Sequence, residues 1–211
     1  KNKSFFDVEM NLPNKKKSIL KKIEIPLIGF HNIKNATAAI AVSYFIGIPP
    51  NILKDSLRNF KGVERRFNKI FSYQGADIYD DYAHHPTEIK EVINGVRNSF
   101  KEKKILCIFQ PHRVSRLNDL KRDFCSAFKK AKTVILCPIY KAGENLGSKI
   151  DYHKFGSQIG EKSDVEVFIV KNQFELAKFL KNYLKYDNIV IGMGAGSISN
   201  WIKQLPELMR K

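Results

Sequence analysis

From residue 63 to residue 205 the chain alternates short apolar runs with longer stretches of helical periodicity, and this alternation narrows the possible folds more than any other feature. The runs at 105–109, 134–137, 165–170 and 189–191 are rich in β-branched residues and far too short to span a bilayer. Such runs read as strands covered on both faces, the habit of parallel sheets. A further strand pair, 70–73 and 76–79, is split by Gln74-Gly75. Between them, 86–100 carries Ile89, Val92, Ile93 and Val96 at helical spacing, and 117–130, 152–160, 174–184 and 197–205 are also predicted helices. The pattern predicts an α/β fold, a Rossmann-like, mostly parallel sheet flanked by helices.

The first 62 residues have a different rhythm. Phe5, Val8 and Met10, then Ile19, Ile23, Ile25 and Leu27, alternate weakly about a Pro13-Asn14 turn signal, which predicts a hairpin. After Gly29 the spacing of Ile33, Ala36, Ala39, Ile40, Ser43 and Tyr44 predicts a helix that ends by Gly47 and Pro49-Pro50. A second helix over 50–59 is expected to turn Ile52, Leu53 and Leu57 inward, and Gly62 marks a domain boundary, giving units 1–62 and 63–211. A length of 211 residues is room for one domain and a fragment of another, and a start at Lys1 instead of Met is compatible with a fragment.

Thirty-seven Lys and Arg against 21 Asp and Glu leave a formal net charge of +16, which first suggests a polyanionic partner. Only eight of these cations are Arg and all are spread along the chain, whereas nucleic-acid surfaces cluster their cations and favour Arg forks. The densest groups, Lys15 to Lys17 with Lys21-Lys22 and those between Lys101 and Lys104, sit beside turns and read as solvated surface. Cys107, Cys125 and Cys137 are an odd number without CxxC spacing, so they are expected to be small buried hydrophobes in a reducing cytoplasm. The first twenty residues hold no apolar core of signal length.

In open parallel sheets ligands gather beyond the carboxyl ends of the strands. Here the segments leaving those ends are the most polar in the chain: DDYAHHPTE at 80–88, QPHRVSR at 110–116, PIYKAGE at 138–144 and GMGAGS at 192–197. Four loops on one edge are expected to enclose one site. His85 before Pro86 and Glu88 is either a helix cap or a site residue. Arg113 and Arg116, three apart, either clamp a carboxylate or phosphate or merely face solvent. No metal site is expected, since adjacent imidazoles such as His84 and His85 seldom converge with a third, His112, on one ion. Gly192 to Gly196 resembles half a dinucleotide fingerprint, but a tight turn and close helix packing suffice for it. Asn32 and Asn35 share a helix face suited to a nucleobase edge, or Asn32 and His31 act as caps alone. Arg65-Arg66 is a solvated pair or a cation reaching a nucleotide.

These pieces occur in one order: Gly29-x-His31-Asn32-x-x-Asn35-x-x-Ala38-Ala39, Gly62-Val63-x-Arg65-Arg66-Phe67, DDYAHHPTEI, FQPHR, AGE and MGAGSI. In that order they resemble the Mur ligases over nearly the whole chain, and in particular the branch that joins L-alanine to UDP-N-acetylmuramate. A branch that recycles murein tripeptide shares DDxAHHP but has another sequence in place of QPHRxxR. The loop after Glu144 is shorter than the pattern leads one to expect.

The resemblance implies three domains: one for the UDP-sugar, a central ATPase with a P-loop, and a Rossmann-like C-terminal domain. Residues 1–62 would be the end of the ATPase and 63–211 the C-terminal domain. It also implies ATP and Mg2+, an acyl phosphate, and an amine that attacks it. Asn32 and Asn35 would face the adenine with His31 beside them, and Arg66 and Asp81 would reach the nucleotide, Asp81 at the ribose hydroxyls. Tyr82, His84, His112, Arg113 and Arg116 would line the pocket for the muramyl carboxylate and L-alanine. No G-x-x-x-x-G-K-[ST] occurs, so no complete catalytic set is expected, and the chain alone is predicted to form no amide and hydrolyse no ATP. Neither nucleic acid nor membrane is an expected partner; the rival reading is a basic α/β module that binds nucleotides or nucleic acid.

Overall fold

A computed structural model describes residues 3–11, 17–145 and 150–210, in two units, Lys1–Val63 and Glu64–Lys211. The turn expected at Pro13-Asn14 and most of the loop after Glu144 lie outside the described residues. In the first unit β1 (Ser4–Asn11) and β2 (Lys17–Ile25) pair antiparallel, with a bulge between Phe6 and Val8. Gly29, at φ 96°, opens α1 (Phe30–Phe45), and Pro50 opens α2 (Pro50–Arg58). Val8, Leu20 and Ile23 of the hairpin bury Ile40 of α1 and Leu53 of α2. Ala39 is exposed, and Ile52, expected inward, is 51% exposed.

The second unit is one six-stranded sheet in the order β3-β4-β8-β5-β6-β7. β3 (Asn68–Tyr73) runs antiparallel to β4 (Ala76–Asp81). β4, β8 (Asn188–Met193), β5 (Lys104–Phe109), β6 (Thr133–Leu136) and β7 (Glu166–Ile169) are mutually parallel. This is the Rossmann-like, mostly parallel sheet that strand–helix alternation predicts. The helices are α3 (Pro86–Ser99), α4 (Val114–Asp119), α5 (Lys121–Cys125), α6 (Tyr152–Ser163), α7 (Gln173–Tyr183) and α8 (Ile198–Leu208).

Leu106, Ile108, Ile135 and Val190 pack with Leu176, Leu180, Ile198 and Ile202 of α7 and α8. Alternate residues of a strand point to opposite faces, so Cys107 and Phe109 serve the other layer. There Phe109 meets Phe124 and Phe128, with ring centroids 5.4 and 5.3 Å away. The three cysteines are free and buried.

Two helices depart from expectation. The segment 117–130 is not one helix: it begins earlier, at Val114, breaks at Leu120 and ends at Cys125. Beyond Cys125 the amides of Ser126 and Ala127 reach back three residues, to Asp123 and Phe124, so the chain tightens and both Phe124 and Phe128 reach Phe109. α8 continues past Leu205 through Pro206, because the Met209 amide still bonds Leu205 O at 2.8 Å. Among the described residues no helix is long and apolar enough to cross a membrane.

Phe109→Ala removes a fully buried ring that two others pack against. It is expected to destabilise the second unit by about 3–5 kcal/mol, read as a lower urea midpoint at unchanged slope.

Candidate functional site

The adjacent parallel strands β4, β8, β5 and β6 bring the four polar loops to one edge of the sheet. A single buried side chain, Gln110, ties two of them. It is 2% exposed; its Nε2 donates to Ser197 Oγ at 3.1 Å and its Oε1 accepts the Ile198 amide at 3.0 Å. The Gly194-Ala195-Gly196 turn can approach only because its two glycines lack side chains. A Cβ on Gly194 would stand 2.8 Å from Gln110 O, and one on Gly196 would collide with the Tyr140 ring. This is the close-packing reading of the glycines, not a dinucleotide fingerprint.

The other loops join through the backbone. Arg113 N donates to Tyr140 O and Tyr140 N to Pro111 O, both at 2.9 Å. Tyr82, His84, His112 and Tyr140 then form a chain of rings with successive centroids 5.0, 5.7 and 5.5 Å apart. Arg116 stands beside them, its Nη1 3.3 Å from His112 Nδ1. Of the five residues expected to line a substrate pocket, Tyr82, His84, His112 and Arg116 thus cluster directly, and Arg113 follows His112 on the same loop.

The hydrogen-bond partners assign the two imidazoles opposite polarity. His84 Nδ1 lies 2.9 Å from Tyr82 O, an acceptor only, so Nδ1 carries the proton and Nε2 of the neutral ring is an acceptor. His112 Nδ1 faces a guanidinium, a donor only, so its proton sits on Nε2. Burial, with Arg116, His84 and Arg113 nearby, holds the His112 pKa below the usual imidazole range, so the ring is neutral at pH 7. His85 is a cap: its Nδ1 accepts the Thr87 amide at 3.3 Å, while Glu88 accepts the His84 and His85 amides.

Of the residues expected to meet a nucleotide, His31, Asn32 and Asn35 belong to the first unit. Asn32 Nδ2 donates to Ile28 O at 2.7 Å, and Asn35, one turn on, is exposed. Arg66 and Asp81 belong to the second unit. The Arg66 guanidinium lies 5.9 Å from the Tyr82 ring centroid, and that of Arg65 4.7 Å from the same ring. Asp81 is 2% exposed, and its two oxygens accept the Phe67 and Ala83 amides at 2.9 and 2.8 Å. The geometry thus makes it a backbone clamp at the foot of the Arg65–Phe67 turn.

For three residues the sequence left the task open or unassigned. Arg65 donates to Gly194 O and stands 3.6 Å from buried Asp80, whose other contact is the Ser199 hydroxyl. Gln110 appeared only within a motif; a polar residue directly after a wholly apolar strand was its signal. Glu144 bonds the start of α4. Among the described residues no group of three or more His, Cys, Asp or Glu could hold a metal ion.

Burial raises the Asp81 pKa from 3.8 to about 6 against the pull of its two amides and Arg66. The fold therefore favours the protonated acid. This contribution is complete below pH 3.8 and is lost as pH rises through about 6, on the order of 3 kcal/mol in all. Asp81→Asn, which mimics the protonated acid, is expected to flatten that part of the stability–pH curve relative to the parent. Carboxyl NMR should find Asp81 titrating near 6, and a value near 4 would refute the assignment.

Comparison with known proteins gives this geometry its relatives. A family model described as Mur ligase, glutamate ligase domain, matches residues 65–196. A UDP-N-acetylmuramate–L-alanine ligase of Pelagibacter ubique is 56% identical over 206 residues, 98% of this chain and 44% of that protein. One from Methylobacterium radiotolerans is 37% identical over 188 residues, covering 89% of this chain and 40% of its own. The crystal structure of a UDP-N-acetylmuramate–alanine ligase from Thermotoga maritima shares the fold at a TM-score of 0.73 and 24% identity, over 99% of this chain and 46% of that one. The chain thus spans less than half the length of these relatives. With more than half of its residues inside the family model and its polar loops gathered on one sheet edge, the chain belongs to the Mur ligase family.

Proposed function

We propose that this chain is the carboxyl-terminal part of an ATP-dependent ligase that joins L-alanine to UDP-N-acetylmuramate, in peptidoglycan precursor synthesis in the cytoplasm. The observation that carries the reading is the pairing of two imidazoles whose Nδ1 atoms have partners of opposite polarity, with Arg116 beside them and Arg113 on the same loop. The 56% identity to a protein named for this reaction supports the choice of substrates. In this reading residues 1–62 end the central ATP-binding domain and 63–211 form the C-terminal domain.

Each group then has a task. Arg113 and Arg116 hold the L-alanine carboxylate, for which a guanidinium fork is suited. The γ-phosphoryl of ATP passes to the muramyl carboxylate and ADP leaves. The alanine ammonium gives one proton to His84 Nε2, and its freed lone pair forms the C–N bond at the acyl carbon. The carbon–oxygen bond to phosphate breaks with its electron pair on the departing phosphate, which takes the second nitrogen proton. His112 Nε2–H donates to the oxygen where negative charge develops.

Asn32 and Asn35, with His31, meet the adenine, and Arg66 meets the phosphates or ribose. Asp81 serves the nucleotide by fixing the turn that carries Arg66, since its oxygens are committed to amides. Mg2+ would neutralise phosphate charge. We assign its ligands to the part of the relatives that this chain does not span. Lysines paired with acids, such as Lys69 with Asp77 and Lys104 with Asp187, favour solvated surface over a nucleic-acid face.

The 211-residue chain alone is expected to release no ADP from ATP and to form no amide; turnover by it would overturn the reading. In the full-length ligase, Arg113→Ala is expected to raise the KM for L-alanine or lower kcat by roughly tenfold or more. Wild-type kinetics in that variant would remove Arg113 from the site.

A further inference from the structure

We infer that Glu144 is a positioning residue for the amino-acid pocket: it reaches from the loop after β6 to cap α4, and so fixes the backbone that carries Arg113 and Arg116. The inference rests on the reading of those arginines as the carboxylate clamp.

α4 starts without a cap of its own. Arg113 occupies the N-cap position at φ 68° and ψ 131°, and its side chain makes no capping bond. The first amides of a helix have no partner within it and need an outside acceptor. Glu144 supplies it from thirty residues downstream: Oε2 accepts the Val114 amide at 2.6 Å and the Ser115 amide at 3.2 Å. Its Oε1 accepts the Ser115 hydroxyl at 2.5 Å. The carboxylate is aimed there by Ala142 and Gly143, which turn the chain at φ 51° and 83°.

The consequence falls on Arg113. A positive φ is unfavourable for a residue with a Cβ and persists where its surroundings impose it. Here the imposing contacts come from one loop: Tyr140 O takes the Arg113 amide, and Glu144 takes the two amides that follow. Arg116 leaves the same short helix toward His112. The backbone from which both guanidiniums depart is therefore held by a side chain that need not touch the substrate.

Glu144 also decides what an incoming anion meets. With the helix-start amides already bonded to a carboxylate, the guanidiniums are left as the donors for a substrate carboxylate. The Ser115 hydroxyl and the two amides hold the Glu144 carboxyl below its ordinary pKa, which keeps the cap ionised at neutral pH.

The test is steady-state kinetics of the full-length ligase with each substrate varied in turn. Glu144→Ala is expected to raise the KM for L-alanine roughly tenfold, while the KM for ATP and for the UDP-sugar stay within about twofold. Glu144→Gln retains an acceptor for both amides and a donor for Ser115 Oγ, and should recover most of the alanine KM. An unchanged alanine KM in Glu144→Ala, or a Gln variant as impaired as the Ala variant, would overturn the inference. Should Glu144→Ala fail to fold, Ser115→Ala removes a single contact of the cap. It should raise the alanine KM about two- to threefold, with faster amide exchange at Val114 and Ser115; no change in either overturns the role. A wild-type enzyme that releases no L-alanine-dependent ADP would instead refute the substrate reading beneath it.

Discussion

The site depends on one buried amide. Gln110 leaves the end of β5, the strand next to β8, and its side chain turns into the protein to bond Ser197 and the first amide of α8. A buried amide left without partners is costly, so the β8–α8 turn must approach closely enough to satisfy it. That approach forbids side chains at Gly194 and Gly196. It also brings the turn against Tyr140, whose backbone holds Pro111 and Arg113. Three loops are thereby set by one side chain, and His112 and Arg116 follow from where those loops end.

Within that frame, chemistry is assigned by partners more than by residue type. His84 and His112 are the same side chain with opposite tasks, because one faces a carbonyl and the other a guanidinium. Asp80 and Asp81 are adjacent carboxylates with different partners. Asp80 meets Arg65, which precedes β3, and Ser199 of α8, whereas Asp81 is enclosed by backbone amides. The cluster is cationic on the Arg113–Arg116 side and bears the two imidazoles beside it, an arrangement that can hold a carboxylate while setting a proton acceptor by a nearby nitrogen.

Much of the fold was legible because periodicity reports burial. Ile89, Val92, Ile93 and Val96 marked the inner stripe of α3, and the apolar runs marked β5, β6 and β8, all of which are buried. Periodicity does not report what covers a face. It therefore turned Ile52 inward, whereas within the first unit that residue is half exposed. Nor does it see a break such as that at Leu120, beyond which Phe124 and Phe128 both reach Phe109. The site was legible as four polar loops because charged residues are rarely placed beyond buried strands without a task. What Arg65 and Glu144 bind was not, since each acts through a partner more than twenty residues away.

By itself the sequence determined the class of fold, the edge of the sheet that carries the polar loops, and the family, since these depend on local pattern and on motif order. Only the tertiary structure decided which ring nitrogen carries a proton, that Asp81 spends both oxygens on amides, and that α4 is capped from another loop. The physical reason is common to all three. Each is settled by the nearest hydrogen-bonding partner in space, and spacing along a chain does not specify that partner until the strands have set the loops side by side.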